Sequence, residues 1–173
     1  YQTTSVTPQF VKSKRSATGC SNLLGFSHER SDIRGTSSAQ RNGVTYMVHR
    51  NSTSNVLGLS YCRANCQAES SWQYLALPDS WVATDDPIIG QAGSGLVIAW
   101  QGALSNVVNL AVCQSAGCTS EVDWRRVDLS TTLTNVVPTS ITTANGLAAV
   151  SFTGTASVNI SGATYSIVYA NIA

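Results

Sequence analysis

Two short stretches space their cysteines as either metal ligands or local disulfides would: "CRANC" at 62–66 and "CQSAGC" at 113–118. A zinc site needs four ligands converging on one ion, and only His28 and His49 are available to supplement the cysteines. The two pairs also stand at the same place in successive sequence units, described below, which holds them apart. Disulfides Cys62–Cys66 and Cys113–Cys118 are therefore expected, with no metal and no cofactor. Cys20 is left over, with burial, a free thiol or an intermolecular bond open to it. "SHERSD" at 27–32 gathers Ser, His, Glu and Asp, yet catalytic partners are assembled in space from separate elements rather than from adjacent residues. No Gly-x-Ser-x-Gly elbow occurs. Glycoside hydrolysis needs two carboxylates facing each other across the sugar. The clustered acids, Asp85 with Asp86 and Glu121 with Asp123, read as turn and strand-end residues. No catalytic residue is assigned, and the chain is read as not an enzyme.

The elements that must position these residues repeat. Gly43 opens "GVTYMVHR", Gly95 opens "GLVIAWQG" and Gly146 opens "GLAAVSFTG", at spacings of 52 and 51 residues. Trp72 and Trp124 each lie 29 residues after their leading glycine, and the cysteine pairs and Pro87 and Pro138 keep the same order. A period of this size marks a repeat architecture. In each unit a β-branched or aromatic run ("VTYMVHR", "LVIAWQG") is followed by "LGLSYC" or "VNLAVC", by "WQYLAL" or "VDWRRVDL", and by "PIIGQ" or "PTSITT". These read as four short strands. The disulfides close the turn after the second run, where they pin register. The tryptophans that open the next strand are expected to fill space between units. Before Gly43 two strands are read, in "QFVKSKRSATGC" and "LLGFSHE"; after Gly146, "LAAVSFTG" and "TYSIVYAN" lead a final group counted as three strands. The expected fold is all-β, with about three propeller-like four-stranded units over residues 1–42 (partial), 43–94, 95–145 and 146–173 (partial). A β-sandwich or jelly roll is the alternative.

The segments "GLVIAW", "NLAVCQSAGC" and the following Trp124 resemble the tandem repeats of about 50 residues found in bacterial secreted and surface proteins, over residues 43–173. That resemblance implies a propeller-like fold and little about activity. The third unit lacks both cysteines. Sialidases share the fold class alone, because their Ser-x-Asp-x-Gly-x-Thr-Trp boxes are absent here.

Charged residues are 11% of the chain, against roughly 25% in an ordinary domain, and the net charge is +1. Eight of the ten Lys and Arg fall between Lys12 and Arg63, but no aromatics interleave with them as in single-strand readers, so nucleic acid is disfavoured as a partner. No apolar run reaches 18 residues, so no membrane span is expected. The sequons at Asn51 and Asn159 and the cysteine pairs are compatible with an extracellular or cell-surface location.

These features point to a binding module for a glycan or protein surface, completed as a homo-oligomer or by a partner chain. The candidate ligand contacts are Trp81, Asp79, Asp85 and Arg50, with Trp81 expected to be the reachable tryptophan and Trp100 buried. The alternatives are a structural subunit of a shell or filament, coat-like or fibre-like, and a fragment of a glycoside hydrolase of sialidase type.

Overall fold

The computed structural model describes residues 9–16, 19–27, 33–66, 68–104, 107–131, 133–144, 147–155 and 168–172. The described chain is all-β. Strands β1 (Gln9–Ser16) and β2 (Gly19–Ser27) form a hairpin. Strands β3 (Ile33–Arg41), β4 (Val44–Asn51), β5 (Leu57–Cys62) and β6 (Gln73–Ala76) form a four-stranded sheet in that order. Strands β7 (Ile88–Ala92), β8 (Gly95–Gln101), β9 (Val107–Cys113) and β10 (Trp124–Ser130) form a second. Strands β11 (Thr134–Ala144), β12 (Leu147–Thr155) and β13 (Val168–Ile172) form a third sheet, of three strands. Every paired strand is antiparallel to its sequence neighbour. Among the described residues the only helical turns are two single 3-10 turns, Glu69–Ser71 and Glu121–Asp123.

The sheets carry two, four, four and three strands, but each of the last three begins one strand before its leading glycine. The turns explain this. Asn42 and Gly43 have φ of 50° and 74°, the pair of positive values that a type I′ turn needs, so Arg41 must pair with Val44. Gly93, with φ 56°, opens the next two-residue turn and sets Ala92 opposite Gly95. So tight a turn can only join strands within one sheet. β3 thus belongs with the strands that follow it, and it is the strand that sequence reading missed. Its "IRGTSSAQR" has few β-branched residues, and its pairing is broken by a bulge between Arg34 and Ser37 beside Gly35, whose φ is +54°.

The two four-stranded sheets share one register. His49, Gly58 and Ala76 lie in a row across β4, β5 and β6, as Trp100, Asn109 and Asp128 do across β8, β9 and β10. The middle sheet is covered on both faces, which is why β8 and β9 read as almost unbroken apolar runs rather than alternating ones. One face (Leu96, Ile98, Trp100, Ala111) packs with Tyr46, Val48, Leu57 and Leu59 of the first sheet. The other (Val97, Ala99, Val108, Leu110) packs with Val136, Val150 and Phe152 of the third. Among the described residues no helix is long and apolar enough to cross a membrane.

Candidate functional site

At one end of the sheets lie the two cysteine loops. Cys62 is bonded to Cys66 and Cys113 to Cys118, with Cα separations of 5.7 and 5.8 Å. Repeat equivalence extends to the tryptophans: Trp72 Nε1 donates to the Cys66 carbonyl at 3.0 Å and Trp124 Nε1 to the Cys118 carbonyl at 3.3 Å. Trp124 is buried between the first and second sheets. The first sheet grips the second loop directly. Arg41, buried at the end of β3, donates through Nη1 to the Ser115 carbonyl at 2.7 Å and to Cys118 Sγ at 2.8 Å. The Tyr46 hydroxyl donates to the Gly117 carbonyl at 2.6 Å. Burial raises the Tyr46 phenol above its ordinary value of 10.0, while Arg41 and Arg63 pull in the opposite direction. This end is a structural joint.

The opposite end carries the residues singled out for binding. The β4–β5 turn is closed by Asn51, whose Oδ1 accepts from the Thr53 and Ser54 amides, each at 2.9 Å. Residues 77–87 run from β6 over this turn to β7. They are fastened by the Leu57 amide donating to the Trp81 carbonyl and the Ala83 amide to the Asn55 carbonyl, both at 2.9 Å. Thr84 ties the same segment to β8, its amide donating to the Gln101 carbonyl at 2.8 Å. Loops from both four-stranded sheets are thereby joined into one surface.

Arg50, Asp79, Asp85 and Trp81 all lie at this end, and one of them, Trp81, is turned inward. Trp81 is corrected from reachable to buried: it is 5% exposed and stacks on Trp100, with centroids 5.5 Å apart. A large apolar ring in a loop that crosses a sheet end loses more water contact by turning inward than by standing out. Arg50 is tied by all three guanidinium nitrogens. Nη1 donates to Asn55 Oδ1 at 2.8 Å, while Nε and Nη2 donate to Asp86 Oδ1 at 3.3 and 3.2 Å. Gly35 leaves room for the Asp86 carboxylate, which a Cβ there would strike. Asp85 Oδ1 accepts from the Asp86 amide at 2.7 Å, the turn role of a short acid. Asp79 is exposed in the turn that the Trp81 amide closes on the Pro78 carbonyl at 2.8 Å.

The tryptophan stack leads to a residue not foreseen. Trp100, 1% exposed, has the Arg126 guanidinium over its ring, 5.7 Å from the centroid. Such a contact contributes about 0.5 to 1 kcal/mol where the cation is part-exposed. Arg126 Nη2 donates to Asn109 Oδ1 at 2.6 Å and Nε to Asp128 Oδ1 at 2.8 Å. Asn109 is itself buried, and its amide nitrogen lies 3.5 Å from the Trp100 carbonyl. The alternation of "WRRVDLS" was the available signal, because it sets Trp124, Arg126 and Asp128 on one face of β10.

"SHERSD" from position 28 onward, the sequon at Asn159 and the side chain of Cys20 lie outside the described residues. Among the described residues no three His, Cys, Asp or Glu side chains group as a metal site would. Comparison with known proteins found no family model that matches the chain and no curated relative.

Proposed function

We propose that this chain is a non-enzymatic extracytoplasmic binding module, built from propeller-like units, which recognises a glycan or protein surface as part of a larger assembly. The observation that carries the proposal is the surface at the β4–β5 end, where loops of two successive sheets are bonded to each other and hold Asp79, Asp85, Arg50 and the Asn51 turn in fixed positions. A preorganised surface of hydroxyls, amides and carboxylates binds hydroxyl-rich ligands without paying to order its loops. Radial stacking is supported by the position of the first strand of each sheet. The Ile89 amide on β7 donates to Ser37 Oγ on β3 at 3.2 Å, and the Gly93 amide beyond β7 donates to Thr143 Oγ1 on β11 at 3.1 Å. Leading strands that lie side by side are what blades around an axis require. The two disulfides support an oxidising compartment. The same stacking supports completion of the fold by further copies or by a partner chain.

The test is a glycan array probed with the purified protein, with product analysis of the bound sugars. Retention without turnover, weakened by joint replacement of Asp79 and Asp85 with alanine, is the expected result. Release of cleaved sugar would overturn the non-enzymatic reading.

A further inference from the structure

The surroundings of Arg126 are not what the repeat requires. In the first sheet the equivalent positions hold His49, Gly58 and Tyr74, whose two rings stack across the glycine. In the second they hold Trp100, Asn109 and Arg126, so a buried amide and a guanidinium replace a glycine and a ring. Gly102 accommodates the change, since a Cβ there would strike the Asn109 amide. A buried asparagine is costly in a core and needs a compensating bond, and here its oxygen spends that bond on fixing a surface arginine.

Two of the five N–H groups of Arg126 are engaged, one on Nε and one on Nη2. Nη1 has no partner among the described residues, and Nη2 keeps one further N–H, so donors remain for a carboxylate. The guanidinium lies over the Trp100 ring, and the Arg126 side chain is 37% exposed. Arg50, by contrast, has every nitrogen bonded within the chain. Around Arg126 the same strand face presents Asp128 and Ser130, groups suited to sugar hydroxyls, rather than an apolar pocket for a side chain. We infer that Arg126, held over Trp100 by Asn109 and Asp128, anchors the carboxylate of an acidic glycan, a uronate or a related sugar acid. The inference rests on the binding-module reading and names its ligand class.

The experiment compares retention of the wild type, R126K, R126Q and R125Q on an immobilised polyuronate, an uncharged polysaccharide and a sulfated one, with thermal melts confirming folding. The wild type is expected to hold the polyuronate best. R126Q should weaken this by about tenfold or more and R126K by a smaller factor, because a lysine keeps the charge but not the fork. R125Q should bind as wild type does. Should R126Q fail to fold, R126K carries the comparison. Equal weakening by R125Q, or equal retention of the sulfated polymer, would mean unspecific charge attraction and overturn the inference. Retention of the uncharged polymer with no preference for the uronate would overturn it while leaving the binding module standing. If no polysaccharide is retained, the inference fails and so does the glycan branch of the binding-module reading, which leaves a protein surface as its ligand.

Discussion

Replacing Tyr46 with phenylalanine tests whether the first sheet grips the second through the cysteine loop. The change removes one hydroxyl that donates at 2.6 Å to the Gly117 carbonyl and leaves a fully buried ring in place. A hydrogen bond of this kind contributes about 1 kcal/mol net, and the carbonyl left behind raises the cost, so the loss is set at about 1 to 2 kcal/mol. For a chain of this size that lowers Tm by about 3 to 6 °C at neutral pH. The pH dependence supplies a sharper criterion. The folded phenol titrates above 10.0 because burial disfavours its charged form. Its stabilising contribution is therefore complete below 10.0, and it is lost as pH rises from there through the folded value, where the unfolded chain is ionised first. The difference in Tm between wild type and Y46F, followed from about pH 8 to about pH 11, should stay constant and then shrink. Calorimetry at each pH measures it. A gap that widens with alkali, or one absent at neutral pH, would refute the account of the joint.

Three further outcomes follow from local geometry. Gly58→Ala should cost about 1 to 3 kcal/mol, since its Cβ would meet the His49 and Tyr74 rings. Gly43→Ala meets nothing within 4 Å and should cost only the positive-φ penalty of about 1 to 2 kcal/mol, so urea titrations of the pair separate crowding from backbone strain. Joint replacement of Cys113 and Cys118 with serine should cost about 2 kcal/mol, because so short a loop restricts the unfolded chain little, and a calorimetric loss twice that would show that Arg41 and Tyr46 depend on the bridge.

What could be read from the sequence had local causes. The glycine-led spacing, the cysteine pairs and the runs of β4, β5, β8 and β9 follow from residues close together in the chain, so pattern and spacing identify them. β3 was hidden because its few apolar residues surround a bulge, and the division into sheets was displaced by one strand because a repeat fixes a period and not where a unit starts. At the β4–β5 end Asp79 and Asp85 stand in turns as their residue types suggest, whereas the fate of Trp81 depended on Trp100, which reaches it from the neighbouring sheet.

By itself, then, the sequence determined an all-β chain of repeating strands with two local disulfides, since each of these needs only neighbours in the chain. Tertiary structure decided which side chains are reachable and which are tied. Arg41 meets its partners 74 and 77 residues away and Arg50 meets Asp86 at a distance of 36 residues, while Arg126 gains its platform from another strand. Burial and hydrogen bonding are properties of surfaces brought together, and no pattern within one strand states which surface will arrive.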